Sequence, residues 1–122
     1  MARLMYCVLA AAIAACGTDE DERPTTLEVV TLTVLAPSCG QVQCHSSTTK
    51  TQELAFDTVD DARRAMIELE VDLAIGEGRP LENDLMNVLN GDGLERMPPD
   101  SPLADEDLAL IRAWLTAGGP GL

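Results

Sequence analysis

The chain has 122 residues, of which 46% are hydrophobic and 24% charged, with 8 Lys+Arg against 21 Asp+Glu and a formal net charge of −13. That length accommodates one small domain. The charge excludes nucleic acid and anionic lipid headgroups as electrostatic partners, and leaves a basic protein surface as the kind it would attract. Aromatic content is 2%, so a core must be built from Leu, Val and Met or completed by a buried cofactor.

The N-terminus reads as an export signal. Arg3 is a short basic region, and Leu4 to Ala12 is an apolar run too short to span a bilayer as a helix. Ile13-Ala14-Ala15-Cys16 looks like a bacterial lipobox, which places cleavage after residue 15 and a lipid on Cys16. Gly17 to Thr26 is polar and acidic and contains Pro24, so residues 16–26 are expected to form a flexible tether, with the folded domain over 27–122. The resemblance to such lipoproteins implies, with Gly17 after the lipobox Cys, the outer membrane of a bacterial envelope, with the domain facing the periplasm. Cys7 leaves with the signal, so Cys39 and Cys44 are the two cysteines of the domain.

Thr25 to Glu28 matches a capping box and opens an ambiguous element. Leu27, Val30 and Val34 share a helical face, yet Val30, Leu32 and Val34 alternate with Thr31 and Thr33 as in a strand. Pro37 ends either form. Cys39 to Glu53 is a polar loop. A helix is expected from Asp57-Thr58 to about Glu70, with Ala62, Met66 and Leu69 on one face and acids in its first turn. Gly76 to Pro80 breaks the chain. A short helix follows over Leu81 to Asn90, with Leu81, Leu85, Val88 and Leu89 apolar and Gly91 at its C-terminal cap. Pro98, Pro99 and Pro102 keep the next segment non-helical. The last helix begins at Ala104-Asp105-Glu106-Asp107, carries Leu108, Ile111, Trp114 and Leu115 as one stripe, and stops at Gly118-Gly119-Pro120. Three or four helices with long loops make a small all-α domain.

The chemistry concentrates in Cys39-Gly-Gln-Val-Gln-Cys44-His45, which contains the single histidine of the chain. A cysteine pair followed at once by His is the attachment pattern of covalent c-type haem, although four residues here separate the cysteines where two are usual. Two thiols in an exported chain also suit a disulfide, and the pattern alone leaves both fates open. With His45 as one axial ligand of iron and no second His, Met is the available second ligand. Met66 and Met86 fall in helical patterns and read as core fillers, while Met97 stands in the stiff segment before Pro98-Pro99. A zinc site lacks a fourth ligand, and no Ser-His-Asp or Cys-His catalytic arrangement is present in the pattern.

Cys39…Cys44-His45, then Glu95-Arg-Met97-Pro-Pro99, then Leu103 to Gly118 with its acidic start, Ile111 and Trp114, together resemble small class I cytochrome c domains. The form is that found in exported proteins of planctomycetes and myxobacteria. The resemblance covers roughly Leu27 to Pro120. It implies haem c on Cys39 and Cys44, with His45 and Met97 as axial ligands. It further implies a non-enzymatic carrier of single electrons outside the cytoplasm; with the lipobox and the acidic charge, that carrier is expected to be anchored at Cys16 and served by redox partner proteins with basic docking surfaces. The alternative expectation is a haem-free lipoprotein of the same fold, with a Cys39–Cys44 disulfide and a role in binding or envelope structure.

Overall fold

The computed structural model describes residues 21–93 and 95–122. The expected signal peptide, Cys7, the lipidation site Cys16 and the first part of the tether lie outside the described residues. The described residues are helical, with no strand among them, and form five helices. None is long and apolar enough to cross a membrane.

The ambiguous first element is a helix. α1 runs over Leu27–Val30, continues through Thr31–Leu35 in a π-helical stretch and ends with Ala36–Ser38. Leu27, Val30, Thr31, Val34 and Leu35 are buried, whereas Leu32 is 56% exposed. A strand would have put Leu32 beside Val30 and Val34. Burial every three to four residues decided the form over the local β-branching. The cap is Thr26 rather than Thr25: its backbone is extended, and its hydroxyl accepts from the Val29 N–H at 3.3 Å.

α2, Val59–Glu68, starts at Thr58, whose hydroxyl accepts from the Asp61 N–H at 3.1 Å and donates to the Asp61 carboxylate at 2.7 Å. Ala62, Ala65 and Met66 form its buried face. The expected continuation to Glu70 is interrupted, because Glu70 takes a left-handed conformation at φ 56°. The chain then enters α3, Val71–Gly76, a short helix that the sequence pattern did not announce. α4 is Asp84–Asn90, capped by buried Asn83, which accepts from the Met86 N–H at 3.0 Å. Leu81 therefore precedes the helix and is 43% exposed, outside the apolar face expected of it. Gly91 closes α4 at φ 75°, as its position implied.

α5, Asp105–Thr116, buries Leu110, Ile111, Trp114 and Leu115. It packs across α1, which in turn packs against α2. Gly118 and Gly119 donate back to Leu115 and Trp114 carbonyls at 3.0 Å each, turning the chain sharply after α5. Residues 21–26, expected to end a flexible tether, follow this crossing closely. Arg23 donates to the Asp107 carboxylate at 2.8 Å and to the Thr33 hydroxyl at 3.3 Å. Met66 and Met86 are buried in the core, as core fillers should be.

Candidate functional site

The segment between α1 and α2 is a loop held by its own backbone. The Cys39 and Gly40 N–H groups both reach back to the Leu35 carbonyl, at 2.7 and 2.9 Å. The His45 N–H then donates to the Cys39 carbonyl at 3.0 Å, so residues 39 and 45 are brought together and the five intervening residues bulge outward. That bulge is a turn closed by Cys44 N–H to the Gln41 carbonyl at 2.9 Å, with Val42 70% exposed at its tip. The Gln41 side chain donates to Pro37 O, and the Thr49 hydroxyl donates to Val42 O. The extra spacing is thus absorbed in a braced external turn, and the ends of the motif keep a close register.

His45 is fixed at three points. Its backbone carbonyl accepts from Phe56 N–H at 2.7 Å. Its ring meets Phe56 edge to face, with centroids 5.7 Å apart and planes at 79°. Its Nδ1 lies 2.8 Å from the Thr51 carbonyl oxygen. A carbonyl can only accept, so Nδ1 must carry the hydrogen and the neutral ring keeps its free lone pair on Nε2. This is the arrangement by which an outer hydrogen bond prepares an imidazole for a metal. The Thr51 carbonyl is presented by strained backbone: Lys50, Gln52 and Glu53 all have left-handed φ values, 47°, 58° and 62°.

Met97 arrives from the other half of the chain. Its N–H donates to the Val88 carbonyl at 2.9 Å, which ties the Met-Pro-Pro segment to α4. Cys39, His45 and Met97 then line one cavity of about 130 Å³. Its walls are Leu54, Phe56 and Leu69 on one side and Leu85, Val88 and Leu89 of α4 on the other, with Gln52 the one uncharged polar side chain. Cys39 packs on the hydrophobic core, and burial, helped by neighbouring Cys44, pushes its thiol up to about 11. Cys44 is partly buried but does not line this cavity. The two thiols are not bonded to each other.

Three of the four expected cofactor-binding residues therefore meet in one apolar pocket, although 52 positions separate His45 from Met97. The Thr51 carbonyl, the Phe56 contact and the α4 wall were not apparent beforehand. The α4 wall had left a trace, since Leu85, Val88 and Leu89 share a helical face. Among the described residues no three His, Cys, Asp or Glu side chains stand together in a metal-binding group.

The donor set fits a haem: an imidazole with free Nε2, a thioether sulfur and a thiol on apolar walls. The volume is below the ~300–1,000 Å³ typical of ligand pockets. A macrocycle would have to displace the leucine side chains that close it. No protein-family model, curated protein or solved structure matches this chain, so the functional reading rests on this geometry.

Proposed function

We propose that the chain is a tethered c-type cytochrome that carries single electrons in the bacterial envelope and performs no catalysis of its own. The observation that supports this reading most is the meeting of Cys39, His45 and Met97 on one apolar pocket, with His45 Nδ1 held by Thr51 O. Cys39 and Cys44 would hold the haem c through thioethers, and His45 Nε2 and Met97 Sδ would bind its iron. Haem bound there would supply a one-electron couple at iron. The protein's share is to present the two ligands and to exclude water with Leu54, Phe56, Leu69 and Leu85. No proton need move. A lipid on Cys16 would keep the domain at the outer membrane, and the net charge of −13 would steer it toward basic faces of redox partners.

The test is periplasmic expression followed by intact mass and a reduced spectrum. A covalent haem adduct with c-type absorption is expected, and His45→Ala should abolish the low-spin spectrum. A colourless mature protein would reject the reading.

A second reading has its own support. Cys44 lies near enough to Cys39 to raise its pKa, and the pocket is small for a macrocycle. A haem-free lipoprotein with a Cys39–Cys44 disulfide, serving binding or envelope structure, would show a mass lower by two hydrogens and no absorption.

A further inference from the structure

The pocket's size and its donors point to a smaller occupant as well. We propose that the haem-free chain binds one Cu(I) ion in this cavity, through Cys39 Sγ, His45 Nε2 and Met97 Sδ. The three atoms are a thiolate, an imidazole nitrogen and a thioether, the soft donor class that selects monovalent copper. Two come from the loop after α1, where the His45 N–H bonds the Cys39 carbonyl and Thr51 O holds the His45 ring, and the third from the segment hydrogen-bonded to Val88. Each donor is therefore positioned by backbone contacts that do not involve the ion. A cavity of about 130 Å³ takes a single ion without displacing its leucine walls.

Charge selects among metals. The lining has one group that can become an anion, Cys39, and no carboxylate. Cu(I) and a thiolate sum to zero, so the filled pocket carries no uncompensated charge among Leu54, Phe56, Leu69 and Leu85. Zn²⁺ on the same donors would leave a net positive charge and lack a fourth ligand. On binding, the Cys39 S–H bond breaks, a Cu–S bond forms and the proton passes to solvent; no electron is exchanged. The proposal concerns the chain before any haem is attached and does not depend on the cytochrome reading.

The experiment uses the full chain carrying Cys7→Ser and Cys16→Ser, expressed in a host without the machinery that attaches haem c, so that it stays haem-free. The reduced protein is titrated anaerobically with Cu(I) against a chromophoric chelator. One equivalent is expected to bind, with sulfur and nitrogen scatterers in the X-ray absorption spectrum. Met97→Leu, which keeps the apolar volume, should weaken binding by an order of magnitude or more, and His45→Phe likewise, with circular dichroism showing that each variant is folded. No binding, or equal competition by Zn²⁺, overturns the proposal. So does full affinity in Met97→Leu with loss in Cys44→Ser, which would mean that copper bridges the two thiols on the loop. Haem uptake in the periplasm is scored separately: haem without copper binding defeats this proposal alone, and copper without haem defeats the cytochrome reading alone.

Discussion

Gly40 shows how closely the loop that carries Cys39 and His45 is packed. A Cβ built on it would stand 2.9 Å from both Asp57 N and Phe56 C and 3.0 Å from Ala36 O. All three are backbone atoms, so no side chain can swing away. Gly40 is not among the residues with positive φ, so alanine here meets a steric barrier and no conformational one. Gly40→Ala should destabilise the domain by roughly 1–3 kcal/mol, as overpacking does, read as a lower urea midpoint at unchanged slope. An unchanged midpoint would mean that the loop can separate from Phe56 freely. Asp57, on the same seam, accepts from the Ser47 hydroxyl at 2.7 Å and from the Ser47 N–H at 2.9 Å. Those two donors hold its carboxyl below the ordinary 3.8. A depressed folded pKa contributes stability that is complete above 3.8 and is lost as pH falls through the folded value. Stability should therefore decline with acidification below that point. Asp57→Asn should make the decline shallower, although Asp61, lowered by Thr58 and Arg64, keeps its own share. Identical acid limbs for the two proteins would show that the Ser47 contacts are not held in solution.

Among the helices, what was readable in the chain depended on whether local and tertiary signals agreed. α2 and α5 have capping or acidic starts and clear apolar faces, and both stand close to where the pattern put them. α3 was hidden because its six residues carry too short a pattern and follow a non-glycine residue in left-handed conformation. α1 was ambiguous because Val and Thr favour strands while the buried face has helical spacing. Met97 could be singled out by its two prolines, but the Thr51 carbonyl that orients His45 could not, since a backbone acceptor leaves no mark in sequence. The π-helical stretch of α1 carries a cost that can be tested. Thr31 is fully buried there, and its hydroxyl has no hydrogen-bond partner. Thr31→Val keeps the branched shape and removes the orphan group, so it should stabilise the domain by about 1 kcal/mol or more. Thermal unfolding of the two proteins decides this. A loss of stability would show that the hydroxyl finds a partner in solution.

At the scale of the whole molecule, the start of α1 and the segment after α5 close on a single carbonyl. Pro120 O accepts from the Leu27 N–H at 2.8 Å, satisfying a donor left free at the start of α1, and from Trp114 Nε1–H at 3.1 Å. A carbonyl has two lone pairs and here uses both. Leu27 and Trp114 are fully buried, so neither donor can turn to water if the acceptor is removed. The next residues add to the closure: Arg63 Nε donates to Gly121 O at 3.1 Å, and Leu122 packs on the core. Ending the chain after Gly119 would orphan two buried donors, each costing about 1–3 kcal/mol. A small domain has only about 5–15 kcal/mol in total, so the truncated chain should lose a large part of its stability. The control is Leu122→Ala, which trims the apolar contact but leaves the carbonyl in place, and should cost less than the truncation. Because Cys39 caps the end of α1 and α5 follows the Met97 segment, the same truncation should also loosen the pocket. Hydrogen exchange at the His45 and Phe56 amides would report that loosening, and protection equal to the intact chain would show that the pocket is held by its own loop without help from the α1–α5 crossing.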